Sequence, residues 1–157
     1  MNNKKKLVVF TLNDQCYALY LSVVGRIVRM VETTPLPKAP EIVLGVINVK
    51  GQIIPVVNIR RRFSLLEREI DLSDQLIIAQ TPRRAIALIV DSVSGVIEFS
   101  EQDIITAEKI LPGMEYIEGV LKLKDGMILI HDLDRFLSFE EEKMLDYAMK
   151  KNQKSKK

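Results

Sequence analysis

An all-β fold of two small barrels packed together, followed by a C-terminal helix, is what this sequence predicts, and three observations predict it. Short runs rich in Val, Ile and Leu follow one another closely, the chain repeats itself, and a helix-start signal stands near its end. Its 157 residues suffice for one compact unit, or two small barrels sharing a core, and not for two large independent domains.

Strands are expected over residues 7–12, 16–21, 26–31, 46–50, 52–57, 75–80, 84–90, 96–99, 120–124 and 127–131, each bounded by turn residues. Asn13-Asp14, Lys50-Gly51 and Asp125-Gly126 stand where two strands must reverse, and Asp-Gly is the strongest two-residue hairpin signal in the chain. Pro35, Pro37 and Pro40 remove ladder donors and force an extended connector within the first barrel. The polar stretch from Ser64 to Asp74 separates two halves.

Those halves resemble each other. At a shift of 69, Leu7-Val8-Val9 falls on Leu76-Ile77-Ile78, and Tyr17 to Leu21 falls on Ile86 to Val90. At a shift of 74, Glu41 falls on Glu115, Gly45-Val46-Ile47 on Gly119-Val120-Leu121, Lys50 on Lys124, and Asn58-Ile59 on Asp132-Leu133. A five-strand unit used twice is best read as two barrels whose apolar faces meet, since one alone would bury little. The expected division is a single domain with barrel units at 7–63 and 75–137, a helix over 138–150 and a basic tail at 151–157. Ser138 and Glu141 have capping-box spacing at the start of that helix. Its apolar stripe of Met144, Leu145, Ala148 and Met149 is expected to pack on the protein's own barrels.

Catalytic chemistry finds little footing. His131 is the only histidine and Cys16 the only cysteine, so no His/Cys metal cluster is available and no internal disulfide can form. His131 reads as a structural histidine and Cys16 as a buried small hydrophobe. No phosphate-cradling glycine loop or nucleophile elbow occurs, and no cofactor is expected. No apolar run is long enough to cross a bilayer, and no signal peptide is recognisable, so a cytoplasmic protein is expected.

The net charge of +2 hides a division. Eight of the 23 basic residues are lysines near the ends, which leaves 15 against 21 acidic residues over 7–149, a net of −6. That body argues against a nucleic-acid binder. Inside it, Arg60, Arg61, Arg62 and Arg68 form one basic cluster, which either meets a partner's carboxylates or phosphate or is tied up in intramolecular salt bridges.

The segment from Glu41 to Arg60, EIVLGVINVKGQIIPVVNIR, closely resembles the signature stretch of the CheW family, and the opening Leu7 to Leu12 with Tyr17 and the Asp91 to Gly95 corner also look like that family. The resemblance implies two five-stranded SH3-like barrels and a non-catalytic adaptor. It further implies coupling of methyl-accepting chemoreceptor tips to the regulatory domain of a CheA-type histidine kinase, with other proteins of the same family as further partners. It carries receptor binding onto Val24, Gly45 and Lys50, and kinase binding onto Ile27, Met30 and Leu36, each of which equally fits a core position. Arg26 stands where the family often has an acid, Lys50 where arginine is usual and Asn58 where aspartate is common, so the choice of receptor and kinase is not carried over. A small barrel binding nucleic acid through Arg60 to Arg62 and the lysine tail is the alternative.

Overall fold

A computed structural model describes residues 4–63, 65–66, 68–106, 116–124 and 126–155. Ser64, Glu115, Asp125, Lys156 and Lys157 lie outside the described residues. Eleven strands are described: β1 (Lys4–Leu12), β2 (Gln15–Tyr20), β3 (Val24–Arg29), β4 (Val43–Val49), β5 (Gln52–Val57), β6 (Gln75–Gln80), β7 (Ala85–Val90), β8 (Ser92–Ser100), β9 (Ile104–Thr106), β10 (Ile117–Leu123) and β11 (Gly126–His131). One helical turn, α1 (Ile59–Arg62), follows β5, and the helix α2 (Phe139–Ser155) ends the fold.

Local sequence accounts for the hairpins. Asn13 and Asp14 take φ of 49° and 67°, and Lys50 and Gly51 take 50° and 87°. Two consecutive left-handed residues give a turn whose twist matches that of the strands it joins. Leu12 therefore pairs with Gln15, and Val49 with Gln52.

The strands form two sheets, ordered β8-β1-β2-β11-β10-β9 and β3-β6-β7-β5-β4. Under the repeat, β1, β2, β3, β4 and β5 correspond to β6, β7, β8, β10 and β11, so the two orders agree strand for strand. The expected boundaries of 7–63 and 75–137 nevertheless fail to describe the barrels. The β1–β2 hairpin joins the sheet of the second half, and β6–β7 joins the sheet of the first. Parallel pairs of β11 with β2 and of β5 with β7 seal the exchange. The reason is that the hairpins carry nearly the same apolar pattern, so either satisfies either sheet; which one it enters is decided by long-range pairing.

Sequence reading also missed β9, the sixth strand of its sheet. It pairs Ile105 with Val120, and the corresponding place in the other sheet is a lone bridge between Thr34 and Val46.

Side-chain alternation divides the core in three. Leu7 and Val9 of β1 fill one barrel with Ile128 and Ile130. Leu76 and Ile78 of β6 fill the other with Ile47, Ile54 and Val56. The opposite faces, with Phe10, Leu12, Ile77, Leu88 and Val90, meet between the barrels. Strands buried on both faces read as continuous apolar runs. Leu145 and Ala148 of α2 are 0% exposed, Leu145 lies in this central cluster, and Met149 packs against it. Of the expected stripe only Met144 faces out, at 45% exposure.

The capping box forms as expected. The Ser138 N–H donates to Glu141 Oε1 at 2.8 Å, and the Glu141 N–H donates to Ser138 Oγ at 3.1 Å. Cys16 is half-buried, against the core of its own barrel. His131 is buried inside a cage of Phe10, Tyr17, Phe63 and Phe136.

Candidate partner-docking surface

At one end of the barrel built on β3-β6-β7-β5-β4, the β4–β5 turn, the start of β3 and the β6–β7 hairpin surround an open cavity of about 330 Å³, with Gly25, Arg26, Lys50, Gln52, Ile78 and Ala85 in its wall. Lys50 is exposed and presented by the left-handed turn, which is braced where the Gly51 N–H donates to Asn48 Oδ1 at 2.8 Å. Val24 pairs with Ala79, another wall residue, and packs half-buried on the central cluster. Val24 and Lys50 thus belong to one end of the barrel, where Arg26 and Lys50 make the rim basic.

Gly45 lies elsewhere and acts differently. It is buried in β4, and a Cβ there would overlap the Thr34 carbonyl oxygen, because the proline-rich connector crosses β4 at the Thr34–Val46 bridge. Its repeat partner Gly119 is similarly crossed by β9, with Ile104 Cγ2 2.6 Å from where a Cβ would stand. Both glycines are needed for close strand approach.

The expected kinase positions also separate. Ile27 is 39% exposed on β3. Met30 is 7% exposed, inside this same barrel, and its N–H donates to the Asp74 carbonyl at 3.0 Å. Leu36 is half-buried against the central cluster. Only Ile27 of the three is exposed enough to meet another molecule.

The shift of 69 carries Val24 onto Val93 and Ile27 onto Val96, positions the sequence reading left out. Val93 packs on the central cluster as Val24 does, and its N–H donates to Gln75 Oε1 at 2.7 Å. Val96 is 53% exposed on β8. β3 and β8 each end their sheet, so the two sheets present a matching pair of apolar residues at an edge. Extending the repeat to β3 would have found them.

The arginine cluster is engaged within the chain. Buried Arg60 pairs with Asp91, and Arg68 spans Asp74 at 2.5 Å and Asp91 at 2.7 Å. Arg62 grips both oxygens of Glu141 at 2.5 and 2.6 Å, and Arg61 donates to the Glu41 carbonyl. Burial pushes the Asp91 carboxyl up, but hydrogen bonds from Arg68, the Asn13 N–H and Arg60 outweigh it and hold the group below the usual range. Glu141 shows the same contest, with Arg62 and the Ser138 N–H prevailing over burial. The hydrogen bonds to Asp74 and Asp91 hold the Arg68 guanidinium above its ordinary value. These guanidinium groups serve the fold, which counts against the nucleic-acid alternative in so far as it relied on Arg60 to Arg62.

Among the described residues no group of three His, Cys, Asp or Glu side chains is placed to hold a metal, and no helix is long and apolar enough to cross a membrane.

Residues 6–141, which take in both sheets, match the family model described as the CheW-like domain. The chain belongs to the CheW family. Among CheW relatives, the chemotaxis protein CheW of Rhizobium meliloti is 32% identical over 142 residues, covering 89% of this chain and 92% of its own length. Its counterpart in Bacillus subtilis is 30% identical over 138 residues, covering 87% and 88%. The crystal structure of the scaffolding protein CheW from Thermoanaerobacter tengcongensis superposes with a TM-score of 0.80 at 33% identity, covering 87% of this chain and 94% of that one. The likeness extends to the fold as a whole, two SH3-like barrels with a C-terminal helix.

Proposed function

We propose that this CheW-family chain is a non-catalytic adaptor that couples the cytoplasmic tips of chemoreceptors to the regulatory domain of a CheA-type histidine kinase. The observation that carries this reading is the family match across both barrels, at residues 6–141. The scaffolding role named for the solved relative points the same way. In this reading the receptor tip contacts the surface around Val24 and Lys50, with Gly45 setting the path of the connector behind it. Apolar side chains give affinity there, and the basic rim fixes register. Kinase binding uses Ile27, while Met30 and Leu36 support the strand and connector from below. Holding both partners at once makes receptor conformation and kinase activity thermodynamically linked.

The test is calorimetric titration of the full chain with a receptor-tip fragment and, separately, with the kinase regulatory domain. Lys50→Glu should weaken the first by about tenfold and leave the second unchanged, whereas Ile27→Glu should do the reverse. Both substitutions fall on exposed side chains. Absence of binding to either partner by the unmodified chain, with salt-sensitive binding to nucleic acid instead, would overturn the proposal.

A further inference from the structure

Arg26 and Lys50 share one cavity and have no counter-charge in it. Elsewhere in the fold Arg60 is paired with Asp91, Arg62 with Glu141, Arg68 with Asp74 and Arg84 with Asp146. Even the exposed Lys5 stands 2.5 Å from Glu101. Arg26 and Lys50 are also exposed, yet neither forms an ion pair with a described residue. Both line the open cavity of about 330 Å³ at the end of their barrel, and its wall includes no acidic residue.

The backbone fixes where each cation starts. The register of β3 shifts at Gly25, so that Val24 stands opposite Ala79 and Arg26 opposite Ile78. A bulge of this kind bends the strand locally and re-aims the side chain beside it. Lys50 holds the left-handed φ of 50° in the β4–β5 turn, whose shape is braced by the Gly51 N–H on Asn48. Between the two cations Ile54, Ile78 and Ala79 are buried and give the cavity an apolar floor. Gln52, exposed on the same wall, adds an amide donor.

Like charges that face one cavity repel each other, and a carboxylate entering between them turns that repulsion into attraction. A guanidinium takes both carboxylate oxygens in its fork, while an ammonium adds a point charge without direction. We propose that Arg26 and Lys50 together receive one aspartate or glutamate side chain of the receptor tip, and that Arg26 sets which tips this chain accepts. A tip with a carboxylate at the contact is taken; a tip with a cation there is refused, because it would add a third positive charge to the cavity. The apolar floor suits the methylene stem of such a side chain and displaces water around the ion pair, which strengthens it. This inference rests on the adaptor reading above and adds to it the chemistry of the partner.

Calorimetric titration of the full chain with a receptor-tip fragment tests it, using Arg26→Gln, Arg26→Glu and tip variants in which each acidic residue in turn becomes lysine. Arg26→Gln should weaken binding about fivefold and Arg26→Glu at least about tenfold, with a larger effect at low salt than at high. Thermal melting should be unchanged, since the Arg26 side chain is exposed. One charge-reversed tip should lose the wild-type chain and bind Arg26→Glu in its place. Tip binding that Arg26→Glu leaves unchanged overturns the inference while the adaptor reading stands, and so does a loss that no reversed tip restores. A wild-type chain that binds no tip overturns both. Inorganic phosphate, titrated alone, should bind more weakly than the tip; tighter, Arg26-dependent binding would assign the two cations to a phosphate group and overturn the inference.

Discussion

Acidification from about pH 7 to about pH 5 crosses the ordinary titration range of His131, the chain's only histidine. The imidazole is 2% exposed, its ring centroid lies 4.4 Å from that of Phe63 and 4.8 Å from that of Tyr17, and neither nitrogen hydrogen-bonds to a described residue. Desolvation pushes its pKa down to about 3. In the unfolded chain the group returns to about 6.5. Between those values the unfolded state binds a proton that the folded state refuses, so stability is full above about pH 6.5 and falls as the pH drops towards 3. At about 1.4 kcal/mol per pH unit, the loss is about 2 kcal/mol at pH 5 and approaches about 5 kcal/mol near pH 3. The assay is urea unfolding at a series of pH values, wild type beside His131→Leu, which keeps an apolar group of similar size and deletes the titration. Both proteins carry the same carboxylates, so the difference between them isolates the histidine. The variant should be at least as stable at neutral pH, because it removes two unpartnered nitrogens from the core. Midpoints that run parallel from about pH 7 to about pH 5 would refute the argument, since they would mean that the folded protein protonates His131 freely.

Three further outcomes follow from the same geometry. Glu141→Ala frees Arg62 and removes the side-chain half of the capping box, so it should cost about 2 kcal/mol and speed amide exchange in α2 more than in the sheets, read by hydrogen–deuterium exchange. Asp91→Asn leaves Arg60, 4% exposed, without its carboxylate and should lower stability by about 3 kcal/mol in urea titration; an unchanged midpoint would show that Arg60 finds water instead. Gly45→Ala drives a Cβ into the Thr34 carbonyl and should cost about 2–3 kcal/mol, against about 1 kcal/mol for Gly51→Ala, where the space is open and only the left-handed φ of 87° resists. Equal melting temperatures for the two glycine variants would contradict the crossing seen at Gly45.

Much of the architecture can be read along the chain because its causes are local. Asn13-Asp14 and Lys50-Gly51 reverse the strands that flank them, and Ser138 with Glu141 starts the helix, since each signal acts within a few residues. The docking surface is less legible. Lys50 and Ile27 are exposed, whereas Met30 and Gly45, of the same apolar or small character, lie inside, which only the paths of β6 and of the proline connector determine. The cluster from Arg60 to Arg62 with Arg68 looks like a basic patch in sequence. Its partners Asp74, Asp91 and Glu141 are from six to 79 residues away, and no spacing rule announces them.

By itself the sequence determined strand content, the hairpins, the capped helix, the repeat and the resemblance to CheW, because these rest on short-range periodicity and on a signature read in order. Tertiary structure decided that the repeats trade their first hairpins, so that each barrel draws on both halves of the chain. Period-two apolar strands are interchangeable to a neighbouring sheet, and only the closing of both barrels on one shared core selects the partner of each.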